Sequence, residues 1–337
     1  MTLARRLLIA GGAGSFTPPP PITPVPLYTT GSVVDPACSN YSGFPGLCVM
    51  PNGNLLLVWR EGTSHVSADG VIKQAISTDG GLTWGGATTA YSPGGSVDAR
   101  DPSVMTTASG NIVLSFFLEP AETVHIIIST DNAVTWGSPI TLSSGYSNTA
   151  CSAPMVEVSP SLFLQPIYGL SGGHWESAVM ASTDGGSTWG APVLMANGGS
   201  IDWTEPWITR LHDDRLMCLI RDTTNVRCWQ LYSSDNGATW PTSSNLFPSD
   251  SRHATLETQH HALLIVYRDA AGQGVFRGSW DLGATWTMPS ATNLPSPSSN
   301  FMYAAAAQFP AGKIVGAWSQ EVSSSVATLH VVEFKDQ

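Results

Sequence analysis

The sequence predicts an all-β fold built from repeated units, and three observations carry that prediction. An eight-residue pattern, S-x-D-x-G-x-T-W with one Gly replaced by Ala, occurs five times, and its aspartates are spaced 52, 53, 51 and 46 residues apart. Short, nearly all-apolar strands recur between the copies. Charged residues make up 12% of the chain, while Gly and Pro number 33 and 24, as is typical of a turn-rich all-β protein. A fixed period of this size indicates a repeat architecture.

The repeated pattern explains its own local structure. An Asp or Asn before Gly favours a tight turn, because Gly adopts a positive φ at little steric cost and the Asp oxygens bond nearby amides. The closing Trp is a large apolar anchor that we expect to pack each unit on the sheet beneath it. Five equivalent carboxylates cannot all serve one active site. We therefore interpret the five turns as structural, at residues 77–84, 129–136, 182–189, 233–240 and 279–286.

This pattern also resembles a known motif, the Asp-box or bacterial neuraminidase repeat. Five copies at this spacing resemble the sialidase superfamily and its Asp-box relatives over about residues 40–335. The resemblance implies a six-bladed β-propeller with five Asp-box turns.

A second signature, a polar turn followed by an apolar strand, marks the units in order. Such apolar runs are expected in strands that are covered on both faces. The signature occurs at residues 50–60, 107–117, 211–221, 258–268 and 309–318, the last in a unit without an Asp-box. We predict six blades of four antiparallel strands, with the Asp-box between the third and fourth strands. The predicted blades are 42–95, 101–145, 151–198, 203–248, 253–295 and 300–335.

The two ends of the chain have separate predictions. Residues 1–35 form a Gly/Pro-rich N-terminal arm, an anchor or spacer, ahead of the propeller at 36–337. A secretory signal is a second interpretation, although its apolar stretch, 7–10, is shorter than a usual signal core. Because such a terminus is mobile in isolation, we expect another protein in an assembly, such as a filament, capsid or tail, to hold it. Residues 25–33 are expected to pair into the sixth blade and so to remove an open sheet edge.

Charge and hydropathy exclude two function classes. The formal net charge is −11 and no basic cluster occurs beyond Arg5 and Arg6, which argues against nucleic acid as a partner. No run of 18 apolar residues is present, so no membrane span is predicted.

Cysteine and histidine spacing predicts neither a disulfide framework nor a metal site. The five cysteines are irregularly spaced. Cys218 and Cys228 either face each other across a hairpin or are free thiols. His260 and His261 have no partner cluster in the sequence, and no cofactor is expected.

Three arginines occupy the same place in their units, each at the end of an apolar strand: Arg60, Arg221 and Arg268. The inner strands of a propeller line a central funnel, so repeat symmetry would bring the three towards one rim. Converging guanidiniums form a carboxylate clamp, because each presents a planar fork of donors. The alternative is separate ion pairs, such as Arg221 with Asp222 and Arg268 with Asp269.

Two further candidates begin strands in the fourth and sixth units. Glu205 stands 16 residues before Arg221, so it enters the inner strand where the strand of Arg221 leaves. A Tyr whose hydroxyl faces a carboxylate can lose its proton and act as a nucleophile. Sialidases are known to use a tyrosine in this way. We predict Tyr303 as the nucleophile and Glu205 as its base.

The resemblance to sialidases implies the same assignments. It matches Glu205 to the Glu-Pro motif of the family and Tyr303 to its nucleophile. It also matches Arg221 and Arg268 to the second and third of three arginines that grip a substrate carboxylate. The first arginine is missing, because Gly43 stands at its place.

That departure leaves two roles open. Arg60 is the candidate to replace the missing arginine in space. Glu61 or Asp69 is the candidate to replace the acid/base aspartate, which protonates the leaving group. Near the same rim, Arg100 and Asp101 are predicted to line the substrate pocket, with strand capping as the alternative role of Asp101.

Two functions follow from these residues. The first is an exo-acting, sialidase-like glycosidase that acts on a carboxylated sugar of cell-surface glycans. The second is a non-catalytic carbohydrate-binding propeller, a receptor-binding or decoration protein of a virion or another extracellular assembly. Both place the protein outside the cell or on a virion surface, with a glycan as substrate or receptor.

Overall fold

The computed structural model describes residues 23–26, 40–287 and 301–335. Within these ranges the chain forms 24 β-strands in a propeller-like, all-β arrangement of sheets. No helix occurs in this part of the chain, and hence none that is long and apolar enough to cross a membrane. Of the predicted N-terminal arm, only 23–26 belong to the described residues. The end of the predicted fifth blade, 288–295, lies outside them.

The strands follow one another in this order: β1 Thr23–Pro26, β2 Tyr41–Val49, β3 Leu55–Gly62, β4 Val71–Ser77, β5 Thr88–Tyr91, β6 Asp98–Thr106, β7 Ile112–Glu119, β8 Thr123–Ser129, β9 Ile140–Leu142, β10 Thr149–Ala150, β11 Val156–Glu157, β12 Phe163–Ser171, β13 His174–Ser182, β14 Val193–Ala196, β15 Trp203–Arg210, β16 Leu216–Asp222, β17 Arg227–Ser233, β18 Thr242–Pro248, β19 Ala254–Glu257, β20 Leu263–Arg268, β21 Gly274–Ser279, β22 Phe301–Gln308, β23 Ile314–Ser323 and β24 Val326–Lys335.

These strands pair into five sheets. Four of them are consecutive in the chain: β6-β7-β8-β9; β10-β12-β13-β14 with β11 beside β12; β15-β16-β17-β18; and β19-β20-β21. The fifth has eight strands in the order β22-β23-β24-β2-β3-β4-β5, with β1 beside β24. Its two antiparallel parts are joined by one parallel pair, Tyr41 with Ala327.

The N-terminal strand covers the free edge of the C-terminal strand. β1 pairs antiparallel with β24, with Thr23 opposite Lys335 and Pro26 opposite Val332. The pairing segment thus begins two residues before the predicted 25–33, and residues 27–33 lie outside the described ranges. Where it is paired in this way, at Val332–Lys335, β24 does not offer an open edge to another chain.

The core is formed by the strands that the second signature marks. Residues 55–59 of β3 are fully buried, as are Leu216 and Ile220 of β16 and Leu263 of β20. The first strands of the sheets lie at the centre, where β2 contacts β6 and β22, and β19 contacts β15 and β22. At the ends of these central strands lies a cavity of about 510 Å³, lined by residues that include Val49, Thr106, Thr209, Glu257 and Gln308.

The hairpin of β16 and β17 decides the state of two cysteines. Cys218 and Cys228 are both buried free thiols. The turn occupies residues 223–226, so the register places Cys218 opposite Leu231 and Cys228 opposite Arg221. The predicted alternative in which the two cysteines face each other is therefore wrong, because the hairpin is centred beyond Thr223.

The repeated turns share one set of hydrogen bonds. In each copy the Ser hydroxyl donates to one Asp oxygen at 2.7–2.8 Å, and the Thr hydroxyl donates to the other at 2.5–2.6 Å. In four copies these bonds, with that of the Thr amide, lower the pKa of the carboxyl to about 2: Asp79, Asp131, Asp184 and Asp235. Such carboxylates are turn-stabilising acceptors rather than proton donors.

Candidate active site

Three central strands carry the same irregularity near their first residues. β2, β6 and β15 each have a bulge at which the register with the next strand shifts. Within each bulge, a residue with positive φ precedes a proline: Phe44 (58°), Asp101 (49°) and Glu205 (53°). A residue before proline ordinarily favours extended backbone, and bulges re-aim side chains. Asp101 and Glu205 are buried, so the bulges turn two carboxyl groups towards the centre of the molecule.

Tyr303 and Glu205 form a direct hydrogen-bonded pair. The Tyr303 hydroxyl donates to Glu205 Oε1 at 2.5 Å, and both side chains are buried. Burial, reinforced by the charge of Glu205, raises the pKa of the Tyr303 phenol well above its usual range. The phenol is therefore neutral in the free protein, with a carboxylate in contact to receive its proton. The register shift in β22 between Phe301 and Ala304 gives Tyr303 the same kind of bulge.

Arg221 contacts both members of this pair. Its Nη1 donates to Glu205 Oε1 at 3.1 Å and to Oε2 at 3.2 Å, and lies 3.4 Å from Tyr303 Oη. Burial opposes the charged form of Arg221, but the neighbouring Glu205, Tyr303 and Asp250 raise the pKa of its guanidinium. A fixed positive charge therefore lies beside the atom that would carry negative charge after Tyr303 loses its proton.

Arg221 and Arg268 converge on a residue that the sequence did not indicate. Arg221 Nη2 donates to Asp250 Oδ1 at 2.6 Å, and Arg268 Nη2 to Asp250 Oδ2 at 3.2 Å. The predicted convergence of these two arginines is thus present in the structure. Asp222 and Asp269 accept bonds from their own turns instead. Asp250 is 41% exposed and so occupies the open side of the two guanidiniums.

Arg60 does not join these two arginines. It is fully buried, and its Nε and Nη2 donate to the two oxygens of Asp98 at 2.7 and 2.8 Å. Nη1 donates to the Ser64 carbonyl, and Nη2 also donates to the Ser67 hydroxyl. Because these donors are committed within the protein, the expectation that Arg60 replaces the missing arginine is not supported by its geometry.

Glu61 and Asp69 lie on β3 and on the loop that follows it. Glu61 Oε1 is 3.8 Å from Lys73 Nζ. Asp69 accepts from the amide and hydroxyl of Thr63, both at 3.2 Å. Hydrogen bonding, first from Ser67, lowers the pKa of Asp69, which disfavours the protonated form that a general acid needs. The contacts described for these two carboxyls do not include Tyr303, and their acid role stays a prediction.

Asp101 has a different environment from the other carboxyls. Burial raises its pKa to about 6, with Glu205 adding to the shift and Arg100 and Arg252 opposing it. In the described structure, its Oδ1 is buried without a hydrogen-bond partner. Arg100 Nη1 binds both oxygens of Glu119 at 3.2 Å. A buried carboxyl that titrates near pH 6 beside another carboxylate is a candidate proton donor.

Arg252 is a second residue that sequence reasoning missed. It is fully buried, donates to the carbonyls of Ser152 and Ala304, and lies 5.3 Å from the centre of the Tyr303 ring. A positive charge at this distance favours a developing phenolate. The signal was available, because Arg252 stands 47 residues after Glu205 and so about one repeat further along.

The place of the missing arginine is filled. A Cβ built on Gly43 would lie 2.8 Å from Tyr41 Cε1, so the Tyr41 ring occupies the space of a side chain at 43. The Tyr41 hydroxyl lies 2.9 Å from His65 Nδ1 and 3.2 Å from Glu321 Oε2. Phe44 packs against both His65 and Tyr303, with ring centres 5.2 and 5.0 Å apart. This side of the site is therefore lined by aromatic rings at the place of the missing arginine, with the Glu321 carboxylate beside Tyr41 and the Arg100 guanidinium 5.4 Å from the centre of the Phe44 ring.

The expectation that His261 has no partner ligands is wrong. His212 and Glu257 lie against it, with the ligand atoms of all three within 4.8 Å of one another. Glu257, at the end of β19, stands only four residues before His261, whereas His212 comes from a neighbouring sheet and is brought there by the fold. This cluster is separate from Tyr303, at the opposite ends of the central strands.

Comparison with known proteins identifies the family and the fold of this chain. The BNR repeat-like domain family matches residues 53–259. No match was found among curated protein sequences. Among solved structures, a protein of unknown function from Dyadobacter fermentans is 17% identical, with 90% of this chain and 97% of that chain covered and a TM-score of 0.79.

Two solved enzymes share the fold at similar identity. A leech intramolecular trans-sialidase, solved with 2,7-anhydro-Neu5Ac, is 15% identical over 91% of this chain and 70% of its own, with a TM-score of 0.73. An α-L-arabinanase from Penicillium chrysogenum, solved with arabinobiose, is 15% identical over 93% and 98%, with a TM-score of 0.69. At these identities the likeness concerns the fold. The family match covers more than half of the chain, and the protein therefore belongs to the BNR repeat-like domain family, with the propeller fold of the sialidase superfamily.

Proposed function

We propose that this protein is an exo-acting glycosidase that acts on a carboxylated sugar through Tyr303. The observation that carries the proposal is the 2.5 Å hydrogen bond from the Tyr303 hydroxyl to Glu205, with Arg221 in contact with both side chains. We count the eight-stranded sheet as two blades joined edge to edge. On that count the domain is a six-bladed propeller with five Asp-box turns and an unmarked sixth blade.

The reaction proceeds by two displacements. Tyr303 Oη bonds to the anomeric carbon as Glu205 takes the phenolic proton, and the glycosidic C–O bond breaks. The leaving oxygen takes a proton from an acid group. Water then attacks the glycosyl–tyrosine and gives a proton to that group, while Tyr303 leaves and recovers its own proton from Glu205. We assign the acid group to Asp101 rather than Glu61 or Asp69, because its raised pKa keeps it protonated at mildly acid pH.

Substrate recognition uses Arg221 and Arg268. Both guanidiniums now bind Asp250, whose carboxylate is 41% exposed. A substrate carboxylate offers the same two oxygens, and it takes the same donors once the Asp250 side chain rotates away. Arg100, which is held by Glu119 at the rim, adds a further positive charge on that side.

Turnover of a fluorogenic sialoside tests this function. We expect Tyr303→Phe to lower kcat/KM by on the order of 10³-fold or more, because no other described hydroxyl contacts Glu205. Tyr232→Phe is the matched control, since Tyr232 is half-buried and its hydroxyl binds the Leu282 carbonyl in a repeated turn. Wild-type activity in Tyr303→Phe would sink the nucleophile assignment.

A second candidate, non-catalytic carbohydrate binding, is favoured by one observation. The Tyr41 ring fills the place of the first arginine, so only two of three expected guanidiniums face the ligand. In this case, wild type binds glycans on an array without turnover, and Arg221→Ala abolishes that binding. A role on a virion surface or in another extracellular assembly, with the N-terminal arm held by a partner protein, is part of this second proposal.

A further inference from the structure

Equivalent turns connect five pairs of neighbouring strands, β2 with β3, β6 with β7, β15 with β16, β19 with β20, and β22 with β23. In each turn, the amide of the first residue donates to the carbonyl of the fifth, and the amide of the fourth donates to the carbonyl of the first. The turns are residues 50–54, 107–111, 211–215, 258–262 and 309–313. Three of these turns also form a hydrogen bond to the following sheet. In each, a backbone amide of the turn donates to the side chain of the last residue of that sheet's innermost strand. These pairs are Ala108 with Glu157, His212 with Glu257, and Gln259 with Gln308. The contact itself is thus a repeated structural feature.

Among these three contacts, the one at Glu257 is surrounded by imidazoles. His212 Nδ1 contacts Glu257 Oε1, and His261 Nδ1 lies 3.2 Å from the same oxygen. The two rings lie against each other, with centres 4.0 Å apart. Glu257 is 9% exposed, whereas His212 and His261 are 38% and 59% exposed, so the cluster is anchored on one side and open to solvent on the other.

The backbone under His261 gives a second observation. His261 is the fourth residue of its turn and has a φ of 63°. The corresponding residues of three sister turns are glycines, Gly53, Gly110 and Gly312, with φ between 84° and 92°. This conformation favours glycine, although histidine adopts it more readily than most residues. The fourth sister turn has Asp214 at this position, with a φ of 67°. His261 therefore places an imidazole where three of the four sister turns have no side chain.

We propose that His212, Glu257 and His261 bind a divalent transition metal, with zinc as the occupant. Two imidazole nitrogens and one carboxylate oxygen form a ligand set that suits this class of ion, and the solvent side leaves a fourth position for water. The ion joins turn 211–215 to turn 258–262 and so links two neighbouring sheets. The site lies at the far end of the central strands from Tyr303, and it does not depend on the proposed glycosidase activity.

Calorimetric titration of EDTA-treated full-length protein with ZnCl₂ at neutral pH tests the proposal. We expect one zinc per chain, bound with a Kd of about 10 μM or tighter. His212→Ala and His261→Gly should each weaken binding by on the order of 100-fold. Both variants introduce a residue that the sister turns already hold at the same position, Ala108 and Gly110, so the fold tolerates them. Zinc should raise the Tm of wild type but not of these variants.

His260→Ala is the matched control, because His260 is exposed and adjacent to the cluster but is not one of its members. It should bind zinc and gain Tm as wild type does. Zinc binding in wild type that is weaker than about 1 mM, or unchanged affinity in both His212→Ala and His261→Gly, would overturn the proposal. An equal loss in His260→Ala would also overturn it, since the ion would then bind any exposed imidazole.

Discussion

Asp101 and Glu205 show how one local conformation gives two carboxyl groups of different character. Both stand before a proline with positive φ and both are buried. Glu205 accepts hydrogen bonds from Arg221 and Tyr303. Asp101 has one oxygen without a partner in the described structure, and burial raises its pKa to about 6. The difference arises from neighbours rather than from backbone.

Asp101 makes stability depend on pH in a window that follows from this shift. Its pKa is higher in the folded protein, about 6, than the ordinary value of 3.8, so the folded state binds the proton more tightly. The stabilisation is complete below pH 3.8 and is lost as pH rises through 6. Asp101→Asn removes this loss. Between pH 4 and pH 7.5, we therefore expect the free energy of unfolding of Asp101→Asn to rise by about 2 kcal/mol relative to that of wild type.

Urea unfolding of wild type and Asp101→Asn at both pH values measures this gain. All other titrating groups are common to the two proteins. The change with pH in the difference between their unfolding free energies therefore reports on Asp101. A difference that stays constant with pH would show that the Asp101 carboxyl titrates normally.

At the residue scale, repeat symmetry predicted which of the candidate side chains lie near one another, and the roles assigned to them stay predictions. Glu205 and Tyr303 begin central strands in equivalent units, and the structure brings them into contact. Arg60 obeys the same symmetry, yet its guanidinium is bound to Asp98, 38 residues away. Asp250, which binds both Arg221 and Arg268, follows the end of β18. Ion-pair partners of this kind depend on tertiary packing that a periodic pattern does not encode.

At the scale of elements, the β16–β17 hairpin carries a local conflict. Val226 in its turn has a φ of 55°, a region that disfavours β-branched residues. Its carbonyl accepts the Ser249 amide at 3.1 Å, which ties the turn to the segment after β18. The surrounding contacts thus hold an unfavourable backbone geometry in place.

Replacing this residue should stabilise the protein. We expect Val226→Asn to raise the free energy of unfolding by about 1 kcal/mol, since Asn adopts positive φ more readily. Thermal and urea unfolding measure the change. Asn236→Val is the reciprocal control, because Asn236 is exposed with a φ of 59° in a repeated turn. That substitution should cost a similar amount; a gain in stability there would contradict the argument.

Element boundaries were predictable because apolar runs and turn signals alternate along the chain. β16 spans Leu216–Asp222, within one residue of the end of the signature at 211–221. The bulges in β2, β6, β15 and β22 were not predictable in the same way. They depend on register with the next strand, and a proline after Asp101 or Glu205 alone is equally compatible with strand capping.

For the whole molecule, the pairing of β1 with β24 joins distant parts of the chain. Four residues near the N-terminus lie against the last described strand. The pairing strand begins at Thr23, two residues before the predicted segment 25–33, because Pro-rich flanks give no periodic signal for where pairing starts. The need for such a strand was predictable, since β24 would otherwise expose an edge.

Deletion of residues 1–27 tests the importance of this pairing. We expect a loss of about 2 kcal/mol, because a short antiparallel pair contributes a few hydrogen bonds of about 1 kcal/mol each. The exposed edge of β24 should also promote self-association, visible by size-exclusion chromatography. Deletion of residues 1–20, which keeps β1, is the control and should match the full chain. Equal Tm values for both truncations would remove the assigned role of β1.

The same pairing has a mechanical consequence. Thr23 lies opposite Lys335, so the first residue of β1 and the last residue of β24 lie side by side at one end of the sheet. A force that pulls these two residues apart acts perpendicular to the strands, so the hydrogen bonds between β1 and β24 break one after another. Tension applied through the two ends would therefore open the molecule at this seam, at a low force, before it loads the core strands.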